Sequence, residues 1–288
     1  MAVAVVTDTT HYLPRELVEA RGIREVSLYV TFQGNQTRES EILRDTDAFY
    51  DALRSASEMP TTSQPSIGDF LGVWEPIVRD GDDVVSIHIA SGISGTYDSA
   101  LQAKARLVDD GLDDGRIAVV DSSSGCGGLG LIVLAACAAA DAGGDVEAVA
   151  DRARAAAAVM KMWFAVETLE FLRRGGRIGS AAAWLGSALK IKPILTLEEE
   201  ITPVERVRTS GRAFERMVDY LRQLRDNGSD AWVVQHIQAP DVANRLIDRG
   251  RELYGSEPQF IGEIGPVIGA HVGPGLIGVG ALPAGLLA

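Results

Sequence analysis

The chain has 288 residues, of which 46% are hydrophobic and 23% are charged, a composition typical of globular proteins with room for one or two domains. Its net charge of −13 comes from 40 acidic residues against 27 basic ones. Such a chain repels nucleic acid and anionic membrane surfaces, so an anionic ligand would have to be held by local donors.

The N-terminus and the cysteines indicate a cytoplasmic protein. Residues 1–10 lack the charged start and long apolar run of a signal peptide. Cys126 and Cys137 fall on one predicted helix, about three turns or roughly 16 Å apart, which is too far for a disulfide. Residues 264–288 carry no charge but contain three prolines and many glycines. That pattern favours buried strands and tight turns and argues against stable membrane insertion.

The first half of the chain alternates predicted strands with predicted helices. The strands are residues 3–7, 25–32, 83–90 and 116–120, and the helices are residues 13–20, 46–53, 67–74, 97–104, 127–140 and 146–159. This alternation predicts right-handed crossovers and a Rossmann-like parallel sheet with flanking helices.

From residue 161 onward the order of elements changes. Strands are predicted at 162–166, 191–197, 201–209, 231–237 and 259–264, and helices at 167–174, 181–189, 210–227 and 241–254, with Ser180 capping the helix at 181–189. Strands next to strands predict a mixed α/β domain. We therefore predict an α/β protein of two domains, residues 1–161 and 162–288, whose last strands could pack back on the first domain.

A glycine-rich turn, Ser91 to Thr96, follows the strand at 83–90 and precedes a helix. A strand, such a turn and a helix N-terminus leave backbone N–H groups unpaired, and Ser94 and Thr96 add hydroxyls. The sequence therefore predicts an anion site at the carboxyl end of the parallel sheet. The alternative is that one hydroxyl only caps the helix. Asp8 occupies the equivalent position after the first strand, where capping is also an open explanation.

Two further polar stretches stand out. In residues 60–66, several hydroxyl side chains and an amide lie within a segment that contains two prolines. The prolines predict a stiff extended segment, and a polar surface loop is the alternative. Ser66 and Asp69 form a predicted capping box for the next helix. His271 lies among glycines that allow close approach of a ligand, but a lone histidine is also commonly a satisfied core residue.

No metal-ligand spacing and no phosphate-binding Gly-Lys-Ser/Thr loop occurs. Ser94, His271 and either Asp8 or Asp121 could form a hydrolytic triad, since triads ignore chain order. A serine esterase is therefore the enzyme hypothesis, and a binder of phosphorylated ligands at the Ser91–Thr96 turn is a third possibility.

Six motifs in order resemble the DegV family, the fatty-acid-binding subunits of bacterial fatty acid kinase. They are Thr-Ser-Gln-Pro-Ser (62–66), Ser-Gly-Ile-Ser-Gly-Thr-Tyr (91–97), Val-Asp-Ser (120–122), Thr-Leu-Glu-Phe-Leu-Arg-Arg-Gly-Gly-Arg-Ile-Gly (168–179), Leu-Lys-Ile-Lys-Pro-Ile-Leu (189–195) and Gly-Pro-Val-Ile-Gly-Ala-His-Val-Gly-Pro-Gly (265–275). One departure is the segment Thr7-Asp8-Thr9-Thr10-His11, where the family commonly has Asp-Ser-Thr followed by a small residue and Asp.

The resemblance implies a long-chain fatty acid buried between two domains and no catalysis, cofactor or metal in this chain. A separate kinase subunit would phosphorylate the acid for phospholipid metabolism. The residues that the resemblance assigns to the fatty acid are Thr62, Ser63, Ser94, Gly95, His271, Arg173 and Ile268. Thr62, Ser94 and the backbone N–H of Gly95 would hold the carboxylate, with His271 completing the polar end and Arg173 close by.

Overall fold

The computed structural model describes residues 2–56, 58–185 and 191–288. The strands are β1 (Val3–Asp8), β2 (Arg24–Val26), β3 (Tyr29–Phe32), β4 (Asn35–Arg38), β5 (Thr61–Ser63), β6 (Asp83–His88), β7 (Ile117–Asp121), β8 (Lys161–Ala165), β9 (Lys192–Leu197), β10 (Ile201–Val207), β11 (Ala231–His236), β12 (Ile261–Glu263) and β13 (Ile277–Leu282). The α-helices are α1 (Arg15–Ala20), α2 (Glu39–Ile42), α3 (Thr46–Ser55), α4 (Ile67–Arg79), α5 (Thr96–Asp109), α6 (Cys126–Asp141), α7 (Val146–Val159), α8 (Glu170–Arg174), α9 (Ser210–Asp226), α10 (Pro240–Tyr254) and α11 (Pro266–Val272).

The first sheet is parallel and has the strand order β2-β1-β6-β7, which confirms the predicted Rossmann-like half. Most Val and Ile residues on β1, β6 and β7 are buried because helices cover both faces. The sheet ends at Asp8, His88 and Asp121, and His88 pairs with Asp121 across the β6–β7 ladder. The glycine-rich turn therefore begins at the carboxyl edge of this sheet, as predicted.

The predicted strand at 25–32 is wrong as a single element. It divides at Ser27, where the chain leaves the first sheet, and β3 enters a separate antiparallel sheet of order β4-β3-β5. The hairpin between β3 and β4 turns at Gln33 and Gly34, both with positive φ, and this turn was missed from sequence. The polar run at 60–66 supplies β5, so it is an extended segment paired to β3 rather than a surface loop.

The second large sheet is mixed, with the order β10-β9-β8-β13-β11-β12, in which only the β11–β12 pair is parallel. This confirms the mixed architecture predicted for the second half. The chain changes sheet between β7 and β8, which supports a domain boundary near residue 161. The division at 161/162 stays a prediction, because α6 packs against strands of both large sheets.

Helix α6 lies between the two large sheets, and this position accounts for its apolar composition. All its residues from Cys126 to Ala139 except Leu134 are buried, because one face meets residues such as Val5 and Ile87 and the other meets Val233 and Leu282. A helix buried on all sides needs no polar face. Cys126 and Cys137 are both free thiols on this helix, as expected from their spacing.

Two expectations for the second half need correction. Residues 266–272, predicted to be strands and turns, form α11, which starts with Pro266 at its first position and ends at Gly273 with a φ of 76°. Ser180 does not cap a helix but lies inside a 3₁₀ turn, Gly179–Trp184. The remainder of the helix predicted at 181–189 largely lies outside the described residues. Among the described helices, none combines the length and apolarity needed to cross a bilayer.

Candidate functional site

A cavity with about 890 Å³ of non-atom space, which includes open solvent, lies among β5, α11, the N-terminus of α6 and the second large sheet. Its apolar wall includes Leu28, Ile93, Phe164, Leu197, Ile268 and Leu276, and its polar residues are Thr62, Ser63, Gln64, Ser94, Arg177, Gln235 and His271. The lining therefore suits an apolar ligand that carries a polar group.

Four of the polar residues, Thr62, Ser94, Arg177 and His271, are linked by one direct hydrogen bond and by contacts through neighbouring backbone, and we call this group the polar end. His271 Nε2 lies 2.7 Å from Thr62 Oγ1, which connects α11 to β5 across 209 residues of sequence. A methyl group built on Gly175 would lie 2.2 Å from His271 Nδ1, and Arg177 donates to the carbonyl of Gly175 at 2.9 Å. Arg177 also donates to Ile93 O, next to Ser94, at 3.4 Å.

His271 is held as a neutral imidazole. Burial, followed by the charge of Arg177, lowers the pKa of His271 to about 4. Its Nδ1 is buried and has no hydrogen-bond partner among the described residues. A proton there would lack an acceptor, which indicates that the proton is on Nε2 and is donated to Thr62 Oγ1. The Thr62 hydroxyl can then donate its own proton into the cavity.

The glycine-rich turn uses much of its hydrogen-bonding capacity internally. Ser91 N donates to Asp121, and Ile93 N and Ser94 N donate to the carbonyl of Ala90. Ser94 Oγ lies 2.8 Å from Thr96 Oγ1 and accepts from Thr96 N at 3.3 Å. Among the described residues, the backbone N–H groups of Gly92 and Gly95 have no acceptor. The anion-binding capacity of this turn therefore comes from two backbone amides and the Ser94 hydroxyl.

A second, more open and more polar cavity adjoins the first. The two share Ile93, Ser94, Arg177 and Ile201, and the second is also lined by Gly95, Asp98 and Glu200. The acidic turn between β9 and β10 closes one side of it. Gly92 permits this close approach, because a Cβ there would lie 1.6 Å from the carbonyl oxygen of Glu199. We call this second cavity the vestibule, since it meets the main cavity at the polar end.

The structure brings together most, but not all, of the residues suggested from sequence. Those that line the main cavity are Thr62, Ser63, Ser94, His271 and Ile268. Gly95 lines the vestibule, where its Cα lies against the Gln64 amide. Arg173 lines neither cavity, and its guanidinium binds Glu170 on the exposed face of α8 at 2.6 and 2.9 Å.

Arg177 is the cationic residue of the cavity, and the sequence reasoning chose Arg173 in its place. The chain turns back at Gly175 and Gly176 after α8, so Arg177 projects toward the cavity whereas Arg173 stays on the helix surface. No carboxylate of the described residues pairs with Arg177. The signal available in the sequence was the glycine pair, which separates the two arginines by a chain reversal.

A hydrolytic triad does not form at this site. Asp121 accepts from Ser91 Oγ at 2.5 Å, and Asp8 lies 3.1 Å from His88 Nδ1 within the core. Neither carboxylate contacts His271, whose Nδ1 lacks the partner that would orient a catalytic base. The geometry therefore contradicts the esterase hypothesis as it was built on Ser94, His271 and these aspartates. Across residues 2–56, 58–185 and 191–288, no cluster of His, Cys, Asp or Glu could hold a metal ion.

These features define a class of protein: an α/β fold with two large sheets and one small sheet that encloses an apolar cavity with one polar, vestibule-facing end. A family model described as "Uncharacterised protein, DegV family" matches residues 2–284. The chain is 38% identical over 281 residues to a DegV domain-containing protein of Clostridium perfringens, covering 97% of this chain and 98% of that protein. The chain belongs to the DegV family.

Solved structures of the family agree with the fold. The structure of DegV from Bacillus subtilis, described as a fatty acid binding protein, has a TM-score of 0.85 and 34% identity over 98% of this chain and 99% of its own. A Thermus thermophilus family member, described by its fatty acid binding, has a TM-score of 0.84 and 33% identity over 98% of this chain and 100% of its own.

Proposed function

We propose that this protein binds a long-chain fatty acid, with the acyl chain in the main cavity and the carboxylate at its polar end. The observation that carries the proposal is the cavity itself, which is apolar along its wall and is lined at one end by the hydroxyls of Thr62 and Ser94, the guanidinium of Arg177 and the imidazole of His271. Similarity to two DegV proteins described as fatty acid binding supports the same ligand.

The acyl chain would supply most of the affinity. Each methylene removed from water contributes about 0.8 kcal/mol, so roughly 15 methylenes contribute on the order of 12 kcal/mol before the entropic cost of binding. Hydrogen bonds to a charged carboxylate add roughly 1.5–3 kcal/mol each. The polar end therefore sets the direction of the ligand more than its total affinity.

The carboxylate would accept from Thr62 Oγ1, Ser94 Oγ and the Gly95 amide, with Arg177 compensating its charge. His271 would act through Thr62, since the donated imidazole proton directs the threonine proton toward the ligand. Ser63 and Ile268 would contribute to the wall beside the head group. We assign Arg173 no contact with the ligand.

Solvent extraction of the purified protein followed by mass spectrometry tests the binding. We expect fatty acid in the extract and binding of added hexadecanoic acid to the stripped protein. Thr62→Ala and Ser94→Ala should weaken that binding about tenfold each. Ser99→Ala, a buried hydroxyl on α5 that does not line the cavity, is the matched control. The proposal would be overturned if the extract contained no fatty acid and the stripped protein did not bind added hexadecanoic acid.

We further propose that the bound acid is presented to a separate, cytoplasmic kinase subunit, which converts the carboxylate to an acyl phosphate. The vestibule supports this role, because it gives a route from outside to the Ser94 and Arg177 end of the cavity. A fatty acid kinase catalytic subunit with ATP should form acyl phosphate only when this protein is present. Equal product from free fatty acid would contradict the presenting role and leave the binding role standing.

A further inference from the structure

Helix α11 forms part of the cavity wall and carries its histidine, yet its own sequence cannot cap its start. The residue before it is Gly265, which has no side chain, and its first residue is Pro266, which has no N–H. The backbone N–H groups of Val267 and Ile268 therefore need acceptors from elsewhere in the chain.

The acceptors come from residues more than 220 positions away. Val267 N donates to Glu39 Oε1 at 2.8 Å, and Ile268 N donates to the Tyr12 hydroxyl at 3.3 Å. Tyr12 in turn donates to Glu39 Oε1 at 2.8 Å, and Thr9 donates to Glu39 Oε2 at 2.5 Å. Glu39 has no exposed surface, so its carboxyl is committed to these internal donors.

Two glycines bring α11 onto this support. A Cβ on Gly265 would lie 3.1 Å from Glu39 Oε1 and 2.6 Å from the Tyr12 ring. A Cβ on Gly269 would lie 2.2 Å from the hydroxyl of Tyr50, which itself donates to Ile264 O at 2.8 Å. The helix is therefore fixed by close backbone contact with Glu39, Tyr12 and Tyr50.

The opposite side of α11 meets the ligand cavity. Val267, Ile268 and Val272 line the cavity, and His271 contacts Thr62. Any shift of the helix start would move the imidazole relative to the Thr62 hydroxyl.

We propose that Glu39 is a positioning residue for head-group recognition: it fixes α11, and α11 fixes His271 and Thr62 against the carboxylate of the ligand. This inference rests on the proposed fatty acid binding and adds a residue that never touches the ligand. Glu39→Gln keeps a carbonyl oxygen for Val267 N and an amide that can donate to Thr9, so it should preserve the position of the helix. Glu39→Leu removes the acceptor of Val267 N and of the Tyr12 and Thr9 hydroxyls.

The test compares affinities for hexadecanoic acid and hexadecan-1-ol, because their acyl chains match and only the head group differs. Glu39→Leu should reduce the acid-to-alcohol affinity ratio about tenfold, whereas Glu39→Gln should keep it within about threefold of the native ratio. Met217→Ala, a buried change in the core under α9, is the control for general destabilisation and should leave the ratio unchanged. Tyr12→Phe, which removes only one acceptor, should cause a smaller decrease and serves if Glu39→Leu does not fold.

An unchanged ratio in folded Glu39→Leu, or in Tyr12→Phe where that variant takes its place, would overturn the inference, as would an equal fall in Met217→Ala. Failure of the native protein to bind hexadecanoic acid at all would instead refute the proposed function. The two failures are therefore distinguishable in one experiment.

Discussion

Two histidines in this protein have opposite surroundings. His88 lies between Ser86, at 2.7 Å, and Asp8, at 3.1 Å, and none of the three has exposed surface. His271 contacts Thr62 through one nitrogen and leaves the other without a partner among the described residues, beside a cavity. The complete Ser–His–Asp arrangement is therefore the one that no substrate can reach. Access, rather than the identity of the residues, distinguishes the site from the core.

The largest expected effect on stability is in the buried group of Asp8, Ser86 and His88, which we call the core cluster. Asp8 accepts four hydrogen bonds, from Thr10 N, Thr10 Oγ1, Ile89 N and His88. Burial alone would raise the pKa of Asp8, but the hydrogen bond and charge of His88 and the other donors lower it overall. Asp8→Asn places an N–H₂ group against donors, and we expect it to destabilise the fold by about 3–5 kcal/mol in urea unfolding.

The lowered pKa of Asp8 also determines the pH range over which this residue stabilises the fold. Its contribution to stability is present above the unfolded pKa of about 3.8 and is lost as the pH falls through the folded value. The Asp8→Asn variant should lack this acid-side loss. Fatty acid bound per folded molecule should be unchanged, because Asp8 does not line the cavity. Native-like unfolding of Asp8→Asn would contradict a structural role for the core cluster.

Glu39 provides the second test, as a buried carboxyl that pairs with no cationic side chain of residues 2–56, 58–185 and 191–288. Burial raises its pKa to about 7 despite hydrogen bonds from Thr9, Val267 N and Tyr12. Between pH 4.5 and 7 the folded state keeps a proton that the unfolded state releases, so the contribution of Glu39 to stability falls as the pH rises. The difference in unfolding free energy between the native protein and Glu39→Gln should decrease by about 3 kcal/mol across this window.

Taking that difference removes the opposing effect of His271. Its pKa of about 4 in the folded state lies below the unfolded value of 6.5, so its contribution to stability is lost as the pH falls from 6.5 toward 4. This change is common to both proteins and cancels. A difference that stays constant from pH 4.5 to 7 would show that Glu39 is ionised throughout.

At the cavity, Gly175 offers a smaller and more local perturbation. Its φ of −76° suits any residue, so close approach to His271 is what requires glycine there. Gly175→Ala should displace the imidazole and weaken hexadecanoic acid binding by about tenfold or more. Gly211→Ala, on α9 where a Cβ meets nothing within 4 Å, should bind normally and be slightly stabilised. Native affinity in Gly175→Ala would mean that His271 is dispensable.

Much of the local structure and most residues of the polar end could be predicted from the sequence, but Arg177, the β3–β4 hairpin and helix α11 could not. The alternation of strands and helices predicted the parallel sheet, and the hydroxyls at Thr62 and Ser94 line the cavity. The helical state of α11 was missed because glycines and prolines dominate its local preference, while Glu39 and Tyr50 stabilise it from distant segments. Such tertiary support leaves no periodic signal in the segment itself.

The two arginines flanking Gly175 and Gly176 give the smallest expected effect and a matched pair. Arg177 lines the cavity without a carboxylate partner among the described residues, whereas Arg173 is paired with Glu170 on the surface. Arg177→Met should weaken hexadecanoic acid binding about three- to tenfold, because solvent at the vestibule screens part of the charge. Arg173→Met should bind within about twofold of native. The difference in hexadecanoic acid affinity between the two variants should be smaller in titrations at 500 mM salt than at 50 mM salt. A larger loss of affinity in Arg173→Met than in Arg177→Met would instead assign the head-group role to Arg173.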